Sequence, residues 1–133
     1  MAPHLHHLPH QVIHNDFNTG NVLVDPDDPD FVTGILDFGD VIRTIRVADV
    51  AVATSYLLYP LRGTWSSVQP FIDGYAETVP LTPSELLVLR DLVLCRFAQR
   101  IVIYQWMSRT VGNDPNGYRA GAQNALRELL EEN

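Results

Sequence analysis

Residues 11–40 read QVIHNDFNTGNVLVDPDDPDFVTGILDFGD, and this stretch decides how the rest of the chain is interpreted. After the polar run 14–21, the apolar residues 22–24 predict a brief buried strand. Residues 25–30 consist only of Asp and Pro, which is typical of a turn because Pro fixes φ and Asp hydrogen-bonds its own backbone. The apolar, β-branched run 31–36 predicts a second strand. Together these segments predict a hairpin.

Oxygen-bearing side chains lie at the ends of this predicted hairpin. Asp16 and Asn21 are five residues apart in one loop, and Asp37 follows the second strand. The hairpin should bring both groups to one end of a small sheet, where amide and carboxylate oxygens suit Mg²⁺. A neighbouring carboxylate, Asp16, can accept a proton from a substrate hydroxyl. Phosphoryl transfer needs this combination of metal and base.

Two motifs carry a family resemblance. His14-Asn15-Asp16 with Asn21, followed by Ile-Leu-Asp-Phe-Gly-Asp at 35–40, resembles the catalytic and metal-binding loops of the aminoglycoside phosphotransferase and choline kinase superfamily. These enzymes are relatives of protein kinases, whose motifs follow the same logic. Asp-Phe-Gly-Asp and the downstream Ala-Asp-Val-Ala at 48–51 are most similar to hydroxylysine-kinase-like phosphotransferases. The motifs cover residues 8–60, and the helical remainder matches only by general pattern.

The resemblance implies a role for each matching residue. Asp16 would be the catalytic base, with Asn21 and Asp37 as Mg²⁺ ligands. His14 would hold the loop against the Asp37 segment. Asp49 would brace the loop backbone from the following helix.

Two further positions near the motifs are less constrained. Asp40 either approaches the metal or substrate or only caps a turn. Asn15 stands where the superfamily most often has Gly, a mild departure because Asn tolerates unusual backbone angles. The implied donor is ATP or GTP. The implied acceptor is the hydroxyl of a small amino alcohol, hydroxylated amino acid or aminoglycoside.

The sequence contains no counterpart of the lobe that binds the nucleotide in such a kinase. In the family, an N-terminal lobe supplies a covering loop and a Lys on the phosphates. Here all nine basic residues are Arg, which presents its charge differently from Lys, and no three of the eight glycines have a phosphate-cradling spacing. We therefore expect residues 1–133 to be a single domain, the C-terminal lobe, with little or no kinase activity alone. An exposed interlobe face would favour a homodimer.

Residues beyond the motifs predict helices. Small and apolar residues over 46–59 predict a buried helix that Pro60 ends. Residues 66–78 predict another, which Pro70 either starts or kinks.

The clearest helix start is Thr-Pro-Ser-Glu at 82–85, a capping box with Pro in the first turn. Apolar residues then recur at helical spacing to about Arg109. Asp114-Pro115 predicts a further cap, and 125–130 belongs to a last amphipathic helix. The predicted fold class is α+β: a small β-hairpin element carrying the catalytic loops, followed by a helical bundle.

Composition excludes several classes of partner. The net charge is −7 with no cluster of basic residues, which disfavours nucleic acid and anionic membranes. The start MAPHLHHLPH lacks the features of a secretory signal, and no apolar run has bilayer-spanning length. With Cys95 as the single cysteine, no intrachain disulfide is possible. We expect a cytoplasmic protein.

Other side chains allow a functional interpretation and a simpler one. His4, His6, His7 and His10 lie in an opening segment predicted to be irregular, where adventitious metal binding is the simpler interpretation. Cys95 is predicted to be a buried thiol. Arg96 and Arg100 lie four apart and could contact an anion, although a solvated or salt-bridged face is simpler.

Two rival functions stay open at this point. The first is a non-catalytic kinase-like module that binds or regulates a larger enzyme. The second is a metal-dependent hydrolase using His14, Asp16 and Asp37. That site needs more ligands around an open water position, and the later sequence supplies none clearly.

Overall fold

The computed structural model describes residues 5–61, 64–110 and 118–132. The strands are β1 (His10–Ile13), β2 (Val22–Val24), β3 (Val32–Ile35) and β4 (Ile42–Ile45). The helices are α1 (Val47–Leu61), α2 (Gln69–Thr78), α3 (Pro83–Thr110) and α4 (Tyr118–Glu131). Short 3₁₀ turns occur at Leu5–His7, Thr19–Asn21, Phe38–Asp40 and Trp65–Val68. The fold is α+β, as the sequence predicts.

The predicted hairpin is confirmed as the antiparallel pair of β2 and β3, in which Val22 lies opposite Ile35. Its turn is closed by the Asp25 N–H, which donates to the carbonyl of Phe31 at 2.9 Å. A second antiparallel pair joins β1 to β4, with Ile13 opposite Ile42. The first polar loop (residues 14–21) joins β1 to β2, and the second polar loop (residues 36–41) joins β3 to β4. Each polar loop therefore runs from one sheet to the other. This arrangement fixes both ends of both loops.

The β1–β4 pair was not predicted. Residues 42–45, Ile-Arg-Thr-Ile, are β-branched and carried a strand signal, but their partner lies about thirty residues earlier, where local patterns give no information. The prediction of an irregular opening segment is also wrong within the described residues. Leu8 is 5% exposed and belongs to the core, and β1 begins at His10.

The prediction for Pro60 in α1 is wrong, and one of the two alternatives for Pro70 in α2 is confirmed. Helix α1 continues one residue past Pro60, to Leu61, so Pro60 does not end it. A helix tolerates Pro near its end because the φ of Pro is helical and only one hydrogen bond is lost. Pro70 lies in the first turn of α2, as one of the two predicted alternatives has it.

Helix α3 starts with the predicted capping box. The Glu85 N–H donates to Thr82 Oγ1 at 3.3 Å, and the Thr82 N–H donates to Glu85 Oε2 at 2.8 Å. The helix ends at Thr110, close to the predicted Arg109. The last helix is present as α4, while Asp114-Pro115 lies outside the described residues.

An ion pair between the partly exposed Arg46 and the buried Glu85 connects the sheet end of the molecule to the helices. Arg46, in the turn between β4 and α1, donates from Nε to Glu85 Oε1 at 2.7 Å and from Nη2 to Oε2 at 2.8 Å. Glu85 is fully buried. The guanidinium hydrogen bonds hold the pKa of Glu85 below its usual range and raise the pKa of Arg46.

Helix α1 packs against α3 and α4 in the centre of the molecule. The buried cluster draws side chains from β4 and from all four helices, including Ile45, Val50, Ile72, Phe97 and Leu129. In the described ranges, no helix is both long and apolar enough to cross a membrane. Because α1 belongs to the buried cluster, its contacts with the first polar loop connect that loop to the core.

Candidate active site

The first polar loop, between β1 and β2, is fixed by hydrogen bonds to a side chain of α1. Asp49, in the first turn of α1, accepts the Asn15 N–H at Oδ1 (2.8 Å) and the His14 N–H at Oδ2 (3.4 Å). Asn15 has φ of 65°, in the left-handed region that Asn enters more readily than most residues. The carboxylate of Asp49 therefore fixes the turn that presents Asp16.

The two polar loops are joined through Leu36. The His14 ring is buried, and its Nε2 donates to the Leu36 carbonyl at 2.8 Å. The Leu36 N–H donates to the carbonyl of Asn21 at 2.8 Å. His14 also contacts Phe38, with ring centroids 5.0 Å apart. Asp37 lies between Leu36 and Phe38, so these contacts hold its backbone beside the first loop.

Asp16 is surrounded by hydrogen-bond donors. The Nδ2 atoms of Asn18 and Asn21 donate to its carbonyl (2.9 and 3.0 Å) and lie 3.3 and 3.4 Å from its Oδ2. The Tyr56 hydroxyl donates to Oδ1 at 2.9 Å, and Arg96 Nη2 lies 3.4 Å from the same oxygen. The Asp16 side chain keeps 21% exposure, so one edge of this carboxylate faces solvent.

Asp37 and Asp40 lie at the two ends of the second loop. Asp37 has φ of 58°, and its Oδ1 accepts the Gly39 N–H at 3.3 Å. Asp40 closes the 3₁₀ turn Phe38–Asp40, and both carboxylates are exposed. The interpretation of Asp40 as a metal or substrate neighbour stays a prediction, as do the roles assigned to the other motif residues.

The chemistry of the donor set fits Mg²⁺. Asn21 directs its Nδ2 at Asp16, which leaves its carbonyl oxygen at the opposite corner of the amide. Asp37 adds a carboxylate from the adjoining loop. Nowhere in the described part of the chain do three His, Cys, Asp or Glu side chains gather as a metal cluster. Mg²⁺ is commonly held by one or two protein carboxylates, with water and substrate phosphates completing its shell.

Sequence reasoning missed Tyr56 as a partner of Asp16, and it named Arg96 and Arg100 without connecting them to Asp16. Tyr56 lies inside α1 and carried no signal. The spacing of the two arginines on α3 was noted, and the salt-bridged alternative is correct for Arg96. Arg100 is not solvated: it is 6% exposed, and its guanidinium carbon lies 3.7 Å from the centroid of the Tyr56 ring.

The prediction of a buried thiol is wrong. Cys95 is exposed, because the core side of α3 is taken by Val93 and Phe97. In the opening segment, His10 Nδ1 donates to the Leu8 carbonyl at 2.7 Å, which favours a local structural role. His4 lies outside the described residues.

Two cavities adjoin the first polar loop. One of about 340 Å³ separates the loop and β2 from α1 and α2, and its lining is mainly apolar, including Phe17, Tyr56 and Phe71. The other, of about 360 Å³, lies between the loop, α1 and α3. It is lined by Asn15, Ala48, Ala51, Val52, Leu92, Cys95, Arg96 and Gln99. Asp16 lines neither cavity, but its chain neighbours Phe17 and Asn15 line one each, and both spaces are of ligand size.

The sequence that contains these loops matches a known family. The profile of the phosphotransferase enzyme family (APH) matches residues 1–81, which contain every motif residue described above. The chain belongs to this family. Arg96 and Arg100 lie beyond the matched residues of this phosphotransferase-family chain.

The curated proteins similar to this chain are named as kinases, in agreement with the family match. Hydroxylysine kinase from Danio rerio is 33% identical over 95 residues, which are 70% of this chain and 27% of the relative. Hydroxylysine kinase from Bos taurus is 31% identical over 105 residues, or 74% of this chain and 28% of the relative. The protein of that name from Xenopus laevis is 27% identical over 113 residues. This phosphotransferase-family chain thus spans little more than a quarter of the relatives it matches.

Proposed function

We propose that the chain carries the catalytic base and metal ligands of an ATP-dependent kinase that phosphorylates the hydroxyl of a small molecule. The single observation that best supports this is the geometry around Asp16. Its carboxylate has two fixed partners, Tyr56 and Arg96, while the backbone of Leu36 holds Asp37 beside the same loop. A base and a metal ligand on adjoining loops suit phosphoryl transfer.

The acceptor that we favour is a hydroxylated amino acid. The similar curated proteins are named hydroxylysine kinases, and this name is the support for choosing 5-hydroxylysine over an amino alcohol or an aminoglycoside. The proposed donor is ATP, with GTP as the alternative. The proposal extends to whichever whole protein contains this chain.

In the proposed reaction, Asp16 accepts the proton of the acceptor hydroxyl as that oxygen attacks the terminal phosphorus of ATP. The new O–P bond forms as the bond from the same phosphorus to the ADP oxygen breaks, and ADP leaves with that electron pair. Tyr56 and Asn18 keep the Asp16 carboxylate in one orientation. Asn21 and Asp37 would hold Mg²⁺, which when bound offsets the charge of the phosphates.

We further propose that the chain alone transfers phosphate weakly or not at all. The family places a Lys on the nucleotide phosphates, and this sequence contains none. The family uses a second lobe for that contact. The apolar surface that such a lobe would cover is also available to a second copy of this chain.

Phosphate transfer to 5-hydroxylysine tests the function. It should be followed by ³¹P NMR with Mg²⁺ and ATP, both for the chain and for the longest reading frame that encodes it. We expect the longer protein to form phosphohydroxylysine and Asp16→Asn to slow the reaction by about 10²-fold or more. Asp30→Asn, an exposed carboxylate in the β2–β3 turn, is the matched control and should react at the wild-type rate.

Each outcome separates one part of the proposal from another. Transfer by the isolated chain that depends on Asp16 would support the kinase assignment and refute the inactivity of the chain. Transfer that Asp16→Asn leaves unchanged would refute the assigned base. No transfer by any form, to hydroxylysine or to an amino alcohol, would favour the non-catalytic module instead.

A further inference from the structure

Two guanidinium groups on α3 have hydrogen-bond donors left over. Arg96 uses Nη1 for Gln99 Oε1 at 2.9 Å and turns Nη2 towards Asp16. Its buried Nε has no hydrogen-bond partner among the described residues. One turn further on, Arg100 covers the Tyr56 ring, and its buried Nη2 likewise has no partner in the described ranges. Buried donors of this kind are costly unless something accepts from them.

The charges around these donors are unbalanced. The two arginines bring two positive charges towards Asp16, directly for Arg96 and through Tyr56 for Arg100. The nearby carboxylate of Asp49 is turned to the backbone N–H groups of the first polar loop. One carboxylate thus faces two guanidiniums. An added anion would bring the cluster to neutrality.

The space beside Arg96 is suitable for such an anion. Arg96 lines the cavity of about 360 Å³ together with Asn15, Gln99 and the apolar surface of α1. Arg96 also contacts Asp16, so a group bound by Arg96 lies within one small molecule's length of the proposed base. A molecule in this cavity could place an anionic end on Arg96 and a hydroxyl at Asp16.

We propose that Arg96 binds the carboxylate of the acceptor, with Arg100 as a positioning residue behind Tyr56, and that this subsite selects hydroxylated amino acids rather than amino alcohols. This inference rests on the proposed kinase function, and it assigns specificity to two residues outside the motifs. The Nε–H of Arg96 has no acceptor among the described residues, and Nη2, which turns towards Asp16, carries a second N–H, so a carboxylate can accept from this guanidinium. Arg100 adds positive charge one turn away.

The position of the cavity favours the acceptor over the nucleotide as the source of the anion. Its lining comes from the first polar loop, α1 and α3, and it includes neither Asn21 nor Asp37. Those two residues are the proposed metal ligands, and phosphates of the donor are expected beside them. Arg96 approaches Oδ1 of Asp16, whereas Asn21 approaches Oδ2, so we assign an anion on Arg96 to the acceptor.

Direct binding to the chain tests the subsite without requiring catalysis. The probes are 5-hydroxylysine, its decarboxylated analogue 1,5-diamino-2-pentanol, and inorganic phosphate, each titrated by calorimetry or NMR. We expect hydroxylysine to bind about tenfold more tightly than the analogue. Arg96→Gln and Arg100→Gln should abolish this preference. Arg109→Gln, exposed at the end of the same helix, should preserve it.

Circular dichroism checks that the variants fold. If a Gln variant does not fold, Arg96→Lys replaces it in the test, because Lys keeps the charge but lacks the planar guanidinium donors. Arg96→Lys should lose most of the preference. Equal binding of both amines to the wild type, or no binding of either, would overturn the subsite while the phosphate-transfer assay decides the kinase function separately. Phosphate binding that depends on Arg96 and excludes hydroxylysine would assign the arginines to the donor instead, which also overturns it.

Discussion

The carboxylate of Asp49 accepts the backbone N–H of Asn15 at 2.8 Å, and Asn15 has a positive φ of 65°. This contact joins the first turn of α1 to a loop that precedes it by 34 residues. The backbone next to Asp16 is thereby fixed by a helix that is itself part of the core. This contact fixes the backbone beside the proposed base, while Tyr56 and Asn18 orient its carboxylate.

Replacing Asp49 with Asn should destabilise the protein. The amide would accept one of the two backbone N–H groups but point its own donors at the other. Hydrogen bonds to charged groups contribute about 1.5–3 kcal/mol each, so we expect the free energy of unfolding to fall by about 2 kcal/mol. Urea denaturation measures this. Asp73→Asn, an exposed carboxylate on α2, is the control, and equal effects of the two changes would contradict a bracing role.

Removing the charge of Glu85 should alter both stability and its pH dependence. Losing one partner of a fully buried ion pair costs about 3–5 kcal/mol. Because Arg46 is partly exposed, we expect Glu85→Gln to lower the free energy of unfolding by about 3 kcal/mol, the lower end of this range. Because hydrogen bonds from Arg46 lower the folded-state pKa of Glu85, the pair stabilises the protein above the ordinary carboxyl pKa. That contribution is lost as the pH falls through the lowered value.

Unfolding in urea at several acidic pH values measures this dependence. The wild type should lose stability on acidification more steeply than Glu85→Gln. Glu77→Gln, exposed on α2, should follow the wild type. Parallel profiles for wild type and Glu85→Gln would show that the ion pair contributes little.

Two helical glycines should respond to Ala in opposite ways. A Cβ on Gly121 in α4 would overlap the ring of Tyr59 in α1 and come within 2.6 Å of its hydroxyl oxygen. Overpacking costs about 1–3 kcal/mol, so Gly121→Ala should lower the melting temperature. Gly74 in α2 has no atom within 4 Å of such a Cβ, and Gly74→Ala should gain about 0.5–1 kcal/mol. Stabilisation by both changes would contradict the packing of α4 on α1.

The exposed apolar residues of the β2–β3 hairpin should drive self-association. They are Leu23, Val24, Phe31, Val32 and Ile35. A patch of this kind favours contact with a second copy. Sedimentation velocity should show a concentration-dependent dimer that Phe31→Ser with Val32→Thr abolishes. Leu87→Ser, at an exposed apolar position on α3, should leave it intact, and a monomeric wild type at all concentrations would contradict the prediction.

Local sequence patterns predicted the elements whose signals are contained in a few residues. The hairpin follows from its Asp/Pro turn, and the start of α3 follows from Thr82 and Glu85, three residues apart. The pairing of β1 with β4 was not predictable in this way. It depends on contacts between segments far apart in the chain, which periodicity does not encode.

The same distinction applies to the site. The motifs indicated Asp16, Asn21 and Asp37, whose spacing is local. Arg96 reaches Asp16 from 80 residues away, and Arg100 does so only through Tyr56. Two arginines four apart on a helix fit a solvated face equally well, so only the packing of α3 on α1 shows where they point.

Paramagnetic broadening by Mn²⁺ shows whether Asn21 and Asp37 share one cation beside Asp16. In ¹⁵N-labelled protein, we expect substoichiometric Mn²⁺ to broaden the amide signals of Asn21 and of 37–39 first. Asp37→Asn should remove this effect and Asp30→Asn should not. Broadening centred on the acidic turn 25–30, and unchanged in Asp37→Asn, would contradict a cation site formed by Asn21 and Asp37.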